Sequence, residues 1–242
     1  GRTTLLSRIV LFNVSLWECI LIHELGHCLA GYMVGGHTDK VLLWPLGGLA
    51  FTQPPAQLNN AEGDTKRRKN HIIIAFGGPL THIPHMILYG GLLMWYCQVD
   101  EWGYGNCPYG SNPFSISAFW QETIIALPDG QGLWFWYDFL MISFMLNFWL
   151  FIINLFIPAY PLDGSRIFMN WLLGKWDRQM SATIYCWITG IIAVIAIVLG
   201  ATLFRTQTML FFTGIWAAFQ VYQLSMLIQS STEYQHPLLN QA

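Results

Sequence analysis

Two stretches of this chain, residues 183–204 and 208–229, are long, apolar and free of charged side chains. A helix of about 20 such residues crosses the roughly 30 Å hydrocarbon core of a bilayer. Three more stretches, 9–35, 71–97 and 133–157, reach that length with polar residues inside them. Composition agrees, since 54% of the 242 residues are hydrophobic and only 10% are charged, against about 25% charged in a soluble domain. A disordered chain needs the opposite balance. The formal charge of −2 offers no basic field for phosphates, so no nucleic acid partner is expected. What remains is an all-α polytopic membrane protein of five transmembrane helices in a lipid bilayer. It reads as a single domain over residues 1–242, with a core at 9–175 and a carboxyl-terminal helical pair at 183–229.

Basic residues orient such a chain. Lys40, the run Lys66–Lys69, Arg166, Lys175 and Arg178 fall in two regions between spans. Residues 98–132 hold Asp100, Glu101, Glu122 and Asp129 but no Lys or Arg. With the basic regions cytosolic, the amino end lies outside and the carboxyl end inside; Arg2, Arg8 and Arg205 dissent. Residues 53–70 read as a solvated loop. The chain begins with Gly, and Gly1–Arg8 is too short for a signal peptide. A fragment or processed chain is therefore expected, and an earlier membrane helix is left open. Cys97 and Cys107 both fall near the outer face, where a disulfide and free thiols are equally open.

The first span carries Glu18, His23, Glu24 and His27. Ionisable groups at membrane depth usually face a protein interior or a water pocket and mark function. His23-Glu24-Leu25-Gly26-His27 fits His-Glu-x-x-His. On a helix, residues i and i+4 share a face, so both imidazoles can reach one metal ion. Glu24 sits beside them, placed to take a proton from water without being a ligand. Zinc suits nitrogen and oxygen ligands in a tetrahedron with one open position. Random order would give this pattern in about one such chain in two hundred. Histidines hydrogen-bonded between packed helices are the plainer alternative, and two histidines make only half a site.

The missing ligand should come from elsewhere, and the stretch Asn154-Leu-Phe-Ile-Pro158-Ala-Tyr-Pro161-Leu-Asp163-Gly164 offers it. Pro158 has no N–H to bond the Asn154 carbonyl, and Pro161 repeats the break. Unpaired backbone at membrane depth is tolerated only where protein buries it or it lines a cavity, so a wet pocket is predicted here. Asp163 starts a second half-helix over 164–175. By itself it reads as a helix N-cap, and Asn154 as an interhelical hydrogen bonder.

Taken together, His23-Glu24-x-x-His27 and Asn154-x-x-Pro158-x-x-Pro161-Leu162-Asp163-Gly164 resemble the motifs of the site-2 protease family, zinc metalloproteases that cut other proteins within the membrane. Trp44-Pro45-Leu46-Gly47-Gly48 is similar to that family's short membrane-inserted β-hairpin, and Gly77-Gly78-Pro79-Leu80 to its glycine-proline motif. The resemblance covers residues 9–175. It implies one Zn2+ ion held by His23, His27 and Asp163, Glu24 as catalytic base, and Asn154 assisting at the attacked carbonyl. It further implies a broken helix near the active site, a transmembrane protein as substrate, and a strand edge over Val41–Thr52, around Gly47 and Gly48, on which the substrate pairs; without the resemblance, Val41–Thr52 reads as a plain interfacial loop.

The chain departs from the family pattern at His82, where the glycine-proline motif often ends in Asn. A prenyl-protein type of membrane zinc protease also uses His-Glu-x-x-His, but nothing in it needs Pro158, Pro161, Leu162 and Asp163. Diiron desaturases need His clusters that His37, His71, His82, His85 and His236 do not form. A non-catalytic zinc-binding chaperone or a metal transporter is the alternative of a different class, and Glu24 discriminates it.

Overall fold

The computed structural model describes residues 5–44, 47–57, 60–98, 134–202, 208–232, 235–236 and 238–239. The described chain is mainly helical. Helix α1 spans Leu5–Met33, followed by strands β1 (His37–Trp44) and β2 (Gly47–Gln53), which pair as a two-stranded hairpin. Helices α2 (Ala61–Gln98), α3 (Trp134–Phe156), the short α4 (Asp163–Leu173), α5 (Arg178–Thr202) and α6 (Thr208–Gln229) complete the order. Among the described residues, five helices (all but α4) are long and apolar enough to cross a membrane. Cys107, and with it the choice between a disulfide to Cys97 and free thiols, lies outside the described residues, as does the acidic region after residue 98.

Helix α2 corrects one expectation. Residues 61–70 are not loop but its first turns. Asn60 caps them, its Oδ1 accepting from the Gly63 N–H at 2.7 Å, with Glu62 and Asp64 in the first turn. Acidic side chains there complement the partial positive charge of exposed N–H groups. Arg67 then donates to Asp64 one turn earlier at 2.7 Å. Charge marks solvent exposure, not a break in the backbone, and Lys, Arg and Glu are good helix formers. Helix α5 likewise starts five residues before the expected 183, because Asp177 accepts from the Met180 N–H at 3.2 Å.

The predicted break is present. Helix α3 stops at Phe156, and α4 starts at Asp163. Side-chain donors serve two of the carbonyls between them. Thr189 Oγ1 donates to Pro158 O at 2.8 Å and Trp216 Nε1 donates to Tyr160 O at 2.9 Å. Donors from α5 and α6 thus replace bonds that a continuous helix would make internally.

Packing divides the chain into two units, one of Gly1–His23, Leu43–Gly48 and Leu80–Phe151, the other of Glu24–Leu42, Leu49–Pro79 and Ile152–Ala242. The first unit is cored by Leu11, Leu93, Leu140, Ile142 and Met145. Met169, Leu172, Tyr185 and Leu224 core the second, together with Leu238 and Leu239 after the last helix. Trp187 and Val194 of α5 and Tyr222 of α6 are well exposed, as suits side chains facing lipid.

Candidate metal centre

Successive turns of α1 place His23 and His27 on one face, and both are buried. Asp163 is buried in the first turn of α4. The N-cap position belongs to Leu162, and no side chain caps it. Asp163 is therefore the first helical residue and its carboxylate is turned elsewhere: Oδ2 lies 3.3 Å from His27 Nε2. Ligand atoms of His23, His27 and Asp163 all lie within 4.8 Å of one another.

The donor set fits zinc. Zinc bonds to imidazole nitrogen and carboxylate oxygen are about 2.0–2.2 Å, so two ligands on one tetrahedron sit about 3.3–3.5 Å apart. The 3.3 Å between His27 and Asp163 matches such an edge and is long for a charge-assisted hydrogen bond. His27 Nδ1 lies 2.7 Å from the carbonyl oxygen of Ile74 on α2. A carbonyl only accepts, so Nδ1 carries the hydrogen and Nε2 keeps its lone pair for a metal. The Gly78 N–H also approaches Nδ1, at 3.3 Å, and the shorter contact decides the tautomer. His23 Nδ1 in turn lies 3.0 Å from His82 Nε2. Bound to one ion, these three side chains would leave one position of a tetrahedron open.

Close backbone approach makes these contacts reachable. A Cβ on Gly77 would come within 2.5 Å of the Gly26 carbonyl oxygen and 2.6 Å of Ala30 Cβ. Only glycine lets α2 pass α1 so closely, one turn from Ile74. At Gly164 a Cβ would meet the Leu155 and Ile157 carbonyl oxygens at 2.7 and 2.9 Å. Glycine there lets α4 begin tight against the end of α3, which sets the place of Asp163.

Glu24, buried beside His23, accepts from the Ala50 N–H of β2 at 2.6 Å. Gly47 and Gly48 begin β2 and are half-buried, and Asn154 is half-buried in the last turn of α3. Sequence reasoning missed Ala50 and Ile74, which act through backbone groups and have no side-chain signature. It also passed over Asn147, whose signal was an amide inside an apolar span.

The sequence model of peptidase family M50 matches residues 11–199. No curated protein matches the chain. Among solved structures it is similar to the site-2 protease from Methanocaldococcus jannaschii, at 21% identity and a TM-score of 0.49, over 90% of this chain and 77% of that one.

Proposed function

The chain belongs to peptidase family M50, and we propose that this multi-pass membrane protein is a zinc endopeptidase hydrolysing peptide bonds within transmembrane segments of other proteins. The observation that carries the reading is the convergence of His23, His27 and Asp163 within 4.8 Å, with the two histidines on a helix able to span the bilayer.

His23, His27 and Asp163 would hold the ion. Bound zinc supplies a Lewis acid that polarises a carbonyl and makes water acidic near neutrality. Glu24 is the general base. With Oε2 held by Ala50, its second oxygen takes a proton from water and passes it to the leaving amine. Asn154 donates to the oxygen of the attacked carbonyl as negative charge develops, a role that can contribute about 3–4 kcal/mol. Glu24 lies eleven residues before Gly35, which is about 16 Å of helix and so close to mid-membrane.

A substrate helix shields its own peptide bonds, so it must unwind before a carbonyl can be attacked. Strand β2, starting at Gly47 and Gly48, offers backbone groups on which the unwound segment pairs. Substrates therefore carry helix-weakening residues near the cut, and replacing those with leucine suppresses cleavage. The basic regions between spans support a cytosolic carboxyl end.

The test is reconstitution with a single-span substrate, comparing wild type, Glu24→Gln and Asp163→Ala with zinc content measured on the same samples. Glu24→Gln should keep zinc and lose cleavage, and Asp163→Ala should lose both. A Glu24→Gln protein with unchanged cellular function would favour a zinc-binding chaperone or transporter. Full metal occupancy and activity in Asp163→Ala would remove the third ligand.

A further inference from the structure

Four buried polar groups connect α3 to the metal centre through His82. Asn147 Nδ2 donates to the Ser143 carbonyl oxygen at 2.8 Å and to Cys19 Sγ at 3.0 Å. Both partners accept, so both amide hydrogens are used and the orientation of the amide is fixed. Its Oδ1 then faces His82 Nδ1 at 2.8 Å. An amide oxygen accepts only, so His82 Nδ1 must carry the hydrogen. In the neutral ring His82 Nε2 is left with a lone pair, and it faces His23 Nδ1 at 3.0 Å. That contact is a hydrogen bond only if His23 Nδ1 donates. His23 therefore has its own lone pair on Nε2.

We propose that Asn147 and His82 are positioning residues that set the tautomer of His23, so that its Nε2 is always the metal-binding nitrogen. The proposal rests on the reading of His23 as a zinc ligand. Asn147 and His82 each expose 1% of their surface, so bulk water cannot supply the missing bonds when one of them is removed. The chain thus uses two different second partners for the two histidines of the centre. His27 is set by a backbone carbonyl and His23 by a side-chain relay. The relay extends to α1 through Cys19, one turn before His23.

Two measurements test this on the full chain in detergent. The first is zinc affinity in a zinc buffer, for wild type and Asn147→Leu. Leucine fills a similar volume but offers His82 no acceptor, and loss of such a partner should lower affinity about 10–100-fold. Wild-type affinity in Asn147→Leu would overturn the relay. The second needs no variant: nitrogen NMR of metal-free wild type carrying labelled histidine. His23 and His82 should both be protonated at Nδ1 and bare at Nε2. A hydrogen on Nε2 of either ring would overturn the proposal even if Asn147→Leu did not fold. A wild type that takes up no zinc would instead be a failure of the metal reading, and the nitrogen spectrum would still decide the relay.

Discussion

The backbone N–H of Ala50 donates to the carboxylate of Glu24 at 2.6 Å, joining the second strand of the hairpin to the first helix. A helix fixes where Glu24 begins but leaves its side-chain torsions free. One bond to Oε2 removes most of that freedom and points the other oxygen in a single direction. The hairpin therefore has a second task beside the proposed pairing with substrate: it orients the Glu24 carboxylate.

Replacing Ala50 with proline deletes this donor. A hydrogen bond to a charged group is worth about 1.5–3 kcal/mol, so kcat on a reconstituted substrate should fall by about one to two orders of magnitude. Zinc content should not change, since Ala50 is not a ligand. Ala50→Ser keeps the N–H and should retain most of the activity. Equal loss in both variants would show that the strand, not its N–H group, matters.

Two glycines of α2 should respond to alanine with opposite signs. At Gly77 the new methyl would collide with the Gly26 carbonyl and Ala30, and overpacking of this kind costs about 1–3 kcal/mol. It would also push Ile74 away from His27, so zinc affinity should fall together with Tm. At Gly91 a Cβ meets nothing within 4 Å, and alanine is favoured over glycine in a helix by up to about 1 kcal/mol. Thermal unfolding of both variants in one detergent checks the sign.

Thr189→Val leaves the Pro158 carbonyl without its donor. An unsatisfied buried acceptor costs about 1–3 kcal/mol. Thr202→Val serves as control, because Thr202 is exposed and, among the described residues, bonds back only to its own helix at Val198 and Leu199; surface changes of that kind stay within about 0.5 kcal/mol. A Tm drop in Thr189→Val alone is expected.

The candidate centre was legible because its residues are costly where they stand. Glu24, His23 and His27 interrupt an apolar span, and Pro158 and Pro161 interrupt another, so each had to be explained by function or by burial. Length and apolarity revealed the five spans for the same reason, because both are properties of the side chains. The start of α2 was not legible in this way. Lys66 to Lys69 announce water, and water is compatible with loop and helix alike; the deciding signal was the cap at Asn60, a single residue. Ala50 and Ile74 act through N–H and C=O groups that every residue has, so only the fold reveals them. His82 was visible as a departure from a motif, yet its role depends on Asn147, 65 residues away.

The last segment gives a pH-dependent expectation outside the spans. His236 is buried, its Nδ1 accepts from the Leu238 N–H at 3.3 Å, and its ring meets Tyr160 edge-on at 5.6 Å. Leu238 and Leu239 beside it pack with Met169 and Leu172 of α4. Burial holds the His236 pKa below its ordinary value, which is about 6.5 in an unfolded chain. Between the folded and unfolded values the unfolded chain binds more protons, so stability rises with pH there. The contribution of the neutral ring is fully present above about pH 6.5 and is lost as pH falls toward and through the folded value. Protonation would also place a hydrogen on Nδ1, where the Leu238 N–H now donates. Tm measured from pH 8 down to pH 5 should therefore drop more steeply in wild type than in His236→Phe, which keeps an aromatic edge against Tyr160 but cannot titrate. Parallel curves for the two proteins would mean that His236 does not couple this segment to pH.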